Sequence, residues 1–113
     1  MSQDIKSQQQ FRGTLHSSER VCALFYASWC PFSRKFLPDF EDATLANEKE
    51  FSSVKIDDLD DLCEEYDIRV FPTVIFFERG SILARLDGEP GAGLRAVQLS
   101  GLIEKCSAGK TPR

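Results

Sequence analysis

The chain has 113 residues, 42% hydrophobic and 28% charged, which is the size and make-up of one globular domain and excludes a disordered chain. Fourteen Lys and Arg against eighteen Asp and Glu leave a net charge of −4. That balance gives no basic field for a phosphate backbone, so nucleic acid is not expected as a partner.

The first ten residues, MSQDIKSQQQ, are polar and Gln-rich. They read as a loose lead-in with a vestigial edge strand near Ile5. They contain no apolar h-region, which makes the cytoplasm the expected location. The domain proper is expected over 11–107, with a frayed tail over 108–113. Phe11 and Leu15, at i and i+4, predict a short amphipathic helix ending before Ser17 and weakened by Gly13. Val21 to Ala27 (VCALFYA) is apolar at every position, the pattern of a strand covered on both faces. Ser28-Trp29-Cys30-Pro31 breaks that run, and Pro31 suits the first turn of a helix.

The helix is expected from Pro31 to about Asn47. Phe32, Phe36, Phe40 and Ala43 form its apolar stripe, and Pro38 introduces a kink. Ser53 to Asp57 predicts the next strand. Asp58 to Tyr66 predicts a short acidic helix carrying Leu59, Leu62, Cys63 and Tyr66. Thr73 to Phe77 is a strand opened by Phe71-Pro72, and Glu78 to Ser81 is a turn. Ile82 to Leu86 completes a hairpin. Gly88 to Gly93 (GEPGAG) is a loop. Leu94 to Cys106 closes the chain with a helix resting on Leu94, Val97, Leu102 and Ile103. The order predicts an α/β fold: a mixed sheet of four or five strands, helices on both faces, a parallel βαβ start and an antiparallel hairpin end.

No apolar run approaches the roughly 18 residues of a membrane span, so no membrane partner is expected. The four cysteines form no Cys-x2-Cys pair and His16 is the single histidine, so neither a disulfide framework nor a zinc site is expected. Cys30 carries the sharpest chemical signal. It stands where a buried strand hands over to a helix, beside unsatisfied N–H groups at the positive end of the helix dipole. That setting favours thiolate over thiol. Ser33 is placed to donate a hydrogen bond back to the sulfur, and Arg34 adds positive charge one turn away. Cys22 reads as a small core residue, and Cys63 and Cys106 as structural. The run Asp57, Asp58, Asp60, Asp61, Glu64, Glu65 and Asp67 lacks the spacing of a calcium loop and reads as a solvated face.

These residues carry a resemblance. From about Phe11 to Cys106 the chain resembles the thioredoxin superfamily. FYASWCPFS (Phe25 to Ser33) matches its strand, Trp and Cys-x-x-Cys. Pro38 matches its helix proline, Val70-Phe71-Pro72-Thr73 its cis-proline segment, and Gly88 its glycine after the hairpin. The wording around Cys30 is similar to domains with a single active-site cysteine, as in adenylylsulfate-reductase-like and disulfide-isomerase-like proteins. The resemblance implies that Cys30 is the nucleophile and that Trp29 shields it. It also implies a cis Pro72 that keeps bulk from the sulfur, and a Phe71 backbone that receives an extended substrate segment.

The departures from the family pattern shape the expected function. Ser33 stands where the resolving cysteine belongs, so Cys30 forms a mixed disulfide but cannot expel its substrate alone. Leu24 and Ser53 stand where the family often has a buried acid and its lysine partner. The expected function is monothiol thiol–disulfide exchange, with protein thiols or disulfides, or glutathione, as partners. Glutathione is a candidate co-substrate, no bound cofactor is expected, and a monomer is the default. The competing expectation is a redox-inactive binding module that uses the Trp29, Phe32 and Phe71 surface.

Overall fold

The computed structural model describes residues 2–108. In chain order the elements are β1 (Gln3–Ile5), α1 (Gln8–Ser17), β2 (Arg20–Tyr26), α2 (Pro31–Ala46), β3 (Ser52–Asp57), α3 (Asp60–Glu65), β4 (Thr73–Glu78), β5 (Ser81–Asp87) and α4 (Ala96–Ala108). The five strands form one mixed sheet in the order β1-β3-β2-β4-β5. β1 and β2 both run parallel to β3, whereas β4 is antiparallel to β2 and to β5.

The period-two alternation of β2 divides the core between the two sheet faces. Val21, Ala23 and Phe25 join Ile5, Phe11, Val54, Ile56, Leu62, Ile75 and Phe77 under α1 and α3. Cys22 and Leu24 join Phe36, Phe40, Phe51, Phe76, Leu99 and Leu102 under α2 and α4. A central strand flanked on both sides and covered on both faces has no solvent side, which is why VCALFYA shows no polar alternation.

Residues 2–10 are more ordered than a loose lead-in, and the edge strand expected near Ile5 is present. Gln3–Ile5 pairs with Val54–Ile56, and Ile5 is buried. Ser7 caps α1: its side chain accepts from Gln10 N–H at 3.1 Å, and the Gln10 side chain accepts from Lys6 N–H at 2.7 Å. This Ser-x-x-Gln exchange is a form of capping box, so α1 starts three residues earlier than Phe11. The predicted tail lies mostly outside the described residues.

Two helical stripes differ from expectation. The buried positions of α2 are Ser33, Phe36, Phe40 and Thr44, while Phe32 is 37% exposed. A stripe spaced three, four and four fits the helix pitch as well as the predicted one does, and it puts a serine inside. In α4 Leu99 is fully buried and Val97 is 67% exposed. α3 is shorter than predicted because Asp58 has φ +46 and so cannot belong to a right-handed helix. Pro38 lies inside α2, where it removes the amide that would bond the Arg34 carbonyl. No helix of the described residues is long and apolar enough to cross a membrane.

Candidate active site

Parallel strands β2 and β3 end at the same edge of the sheet, Tyr26 beside Asp57. The segments leaving them meet there, as segments do at the carboxyl ends of α/β sheets. Cys30 is the N-cap residue of α2 and Pro31 its first residue. The Cys30 N–H donates to the Ala27 carbonyl at 2.9 Å, and the Cys30 carbonyl accepts from Arg34 N–H at 3.0 Å. The helix thus begins through Cys30 backbone groups, and no side chain makes a cap hydrogen bond. Its sulfur lies beside the first turn of α2 and takes no part in capping it. Cys30 is 8% exposed, and its Sγ lies 4.0 Å from the Phe71 carbonyl oxygen.

The Phe71–Pro72 peptide is cis. The loop around it is closed by Thr73, whose hydroxyl donates to the Val70 carbonyl at 2.8 Å. Gly88 approaches it so closely that a Cβ there would lie 2.5 Å from the Pro72 carbonyl oxygen. Trp29 is 65% exposed and stands edge-on to Phe71, with ring centroids 6.1 Å apart. Trp29, Phe32, Phe71 and Pro72 therefore meet Cys30 at one end of the sheet, brought by two loops far apart in sequence.

Two predicted features change. The hydrogen bond expected from Ser33 to the Cys30 sulfur is not formed among the described residues. Ser33 is fully buried, and its oxygen accepts from Ala27 N–H at 3.2 Å. That amide lies just past the end of β2 and needs an acceptor once it is buried. Asp57 and Asp58 are more than a solvated face. Asp57 accepts from Ser28 N–H at 2.9 Å, Asp58 accepts from Trp29 Nε1 at 3.1 Å, and Asp58 N–H donates to the Tyr26 carbonyl at 2.8 Å. Together they pin the turn that carries Trp29 and Cys30. The available signal is their position at the end of β3, Asp57 its last residue and Asp58 the next, beside the end of β2.

The remaining cysteines, all free thiols, sit elsewhere. Burial, and then the neighbouring Cys106, pushes the Cys22 thiol far up. Burial, with Asp58 and Asp60 adding to it, raises Cys63 to about 11. Burial also raises Cys106, against the lowering influence of Arg20 and Lys105. Leu24 is fully buried and Ser53 stands opposite Cys22 in the ladder, and neither side chain carries a charge. A charged pair lies two residues further along β3, where Lys55 Nζ donates to Glu41 Oε2 at 2.6 Å. Burial pushes Glu41 up, but hydrogen bonds from Lys55 and Ser2 outweigh it and hold the carboxyl below its ordinary range.

Comparison with known proteins agrees with this geometry. The thioredoxin family profile matches residues 3–98. A thioredoxin-like protein of Fusarium culmorum is 30% identical over 121 aligned residues, covering 96% of this chain and 99% of that protein. Bovine protein disulfide-isomerase A5 is 30% identical over 88 residues; the match covers 74% of this chain but only 17% of that protein's length. The structure of Plasmodium falciparum thioredoxin superposes with a TM-score of 0.81 at 26% identity, covering 91% of this chain and 97% of that one. The chain belongs to the thioredoxin family, a family of redox proteins.

Proposed function

We propose that the protein carries out monothiol thiol–disulfide exchange through Cys30. The observation that carries this reading is the contrast in cysteine settings. The Cys30 sulfur stands at a helix N-terminus and faces the Phe71 carbonyl of the cis-proline loop, whereas the other three cysteines lie within β2, α3 and α4, where burial raises their thiols. The Cys30 thiolate attacks one sulfur of a partner disulfide. A Cys30–S–S–partner bond forms, the partner S–S bond breaks, and the second partner sulfur leaves as a thiolate. Ser33 has no thiol to attack the new bond. An external thiolate, from glutathione or a second protein thiol, attacks the partner sulfur and returns Cys30 as thiolate. No net electrons enter; the disulfide is passed on.

The partners are protein disulfides and thiols, the kind of substrate that the name protein disulfide-isomerase gives to a relative. Trp29, Phe32, Phe71 and Pro72 form the docking surface, and the Phe71 backbone accepts an extended segment beside Cys30. The test is mass spectrometry of the Cys30 peptide after incubation with glutathione disulfide or a protein disulfide. The mixed disulfide is expected to accumulate and then clear when glutathione is added. Exchange that survives intact in Cys30→Ser would end this reading.

A further inference from the structure

The loop between β5 and α4 grips both halves of the site. Its first glycine, Gly88, lies against the Pro72 backbone. Its last, Gly93, lies against Phe32: a Cβ on Gly93 would stand 2.8 Å from Phe32 Cβ and 3.3 Å from Phe32 Cγ. The loop is closed on itself by reciprocal backbone bonds, Glu89 N–H to the Gly93 carbonyl at 3.0 Å and Gly93 N–H to the Glu89 carbonyl at 2.8 Å. Gly93 is buried, with φ +74. The atoms it meets are the root of the Phe32 side chain, not its tip, so no rotation about χ angles relieves a clash there. Phe32 itself stands in the first turn of α2, two residues past Cys30, and keeps its ring partly in solvent.

We infer that Gly93 is a positioning residue that seats Phe32, and that Phe32 so seated determines how bulky a partner reaches Cys30. The inference builds on the reading of Cys30 as the reacting sulfur. The geometry also supplies an internal control. Gly91 has φ +79, but a Cβ placed on it would meet nothing within 4 Å. Gly91→Ala and Gly93→Ala therefore carry the same left-handed backbone strain, and only the second collides with Phe32.

The experiment is the rate of Cys30 alkylation by a small reagent, iodoacetamide, and by a bulky one, fluorescein maleimide. Rates are resolved by peptide mass spectrometry in protein whose folding is checked by circular dichroism. Relative to Gly91→Ala, Gly93→Ala is expected to lower the bulky-to-small rate ratio by about threefold or more, beyond the scatter of independent substitutions. In a Phe32→Gly background, which removes the contacting Cβ, Gly93→Ala is expected to leave the ratio unchanged. Phe32→Ala would not serve, because it keeps that carbon. A ratio in Gly93→Ala equal to or above that in Gly91→Ala overturns the inference, as does a loss that persists in Phe32→Gly. Alkylation needs no disulfide partner. A protein that shows the size effect yet forms no mixed disulfide would therefore refute the exchange function and leave the positioning role standing.

Discussion

Cys22 and Cys30 lie on one short stretch of chain, and their surroundings are opposite. Cys22 sits in the middle of β2, paired with Ser53 on one side and Phe76 on the other, and is fully buried. Cys30 sits just past the point where that ladder ends, with only its backbone engaged in starting α2. The same side chain is a fully buried core hydrophobe in one place and lies, 8% exposed, at the start of a helix in the other. The difference is set by where the strand stops, because backbone groups past the end of a ladder must find other partners.

That contrast can be broken from the helix side first. Cys30 is held in place because α2 is anchored to the sheet by Phe36 and Phe40, both buried to 1% exposure or less. Phe40→Ala is expected to cost about 3–5 kcal/mol, read from the urea midpoint. A loss below about 1 kcal/mol would show that this ring does not anchor the helix.

The contrast sharpens at alkaline pH. An unfolded thiol ionises near roughly 8.5, while buried Cys22 keeps its proton well beyond that. The unfolded state then binds fewer protons than the native one. Stability therefore falls as pH rises above about 8.5, by up to about 1.4 kcal/mol per pH unit for a thiol that stays protonated. Urea titrations at pH 8 to 10.5 are expected to show this slope, and Cys22→Ala is expected to reduce it by one thiol's share, with the raised Cys63 and Cys106 keeping theirs. An unchanged slope in Cys22→Ala would place the cost elsewhere. In the same pH series Cys63 is expected to label only as its midpoint near about 11 is approached.

The smallest expected effect tests the turn that presents the sulfur. Asp58→Ala removes the acceptor of the Trp29 indole N–H. An exposed bond of this kind is worth about 0.5–1.5 kcal/mol, so stability should change little. Trp29 is the one tryptophan of the chain, so its fluorescence reports the site directly. A shifted emission maximum is the expected result, and an unaltered spectrum would mean the bond does not hold the ring.

The strand-to-helix handover at Cys30 was legible because its causes are local: a continuous apolar run, then Pro31 at the first helical position. The parallel βαβ start and the antiparallel hairpin end followed from the same kind of local signals, while the order of strands across the sheet came only with the structure. What escaped was set by distant groups. The buried stripe of α2 passes through Ser33 instead of Phe32, since the Ala27 amide needs an acceptor and the 88–93 loop covers one side of Phe32. Composition favours the phenylalanine and cannot see either partner. Asp57 and Asp58 looked like solvated charge because their role depends on the register of β3 against β2. The cap at Ser7 was readable in principle, and the polar composition around it concealed the signal.

One detail at the start of α2 has a practical side. The first helical hydrogen bond is accepted by the Cys30 carbonyl, and no side chain serves as a cap. The sulfur makes none of the bonds that start the helix. Exchanging that sulfur for an oxygen in Cys30→Ser is therefore expected to leave the first turn fastened. The start of the helix is set by the backbone at that position, whichever side chain it carries.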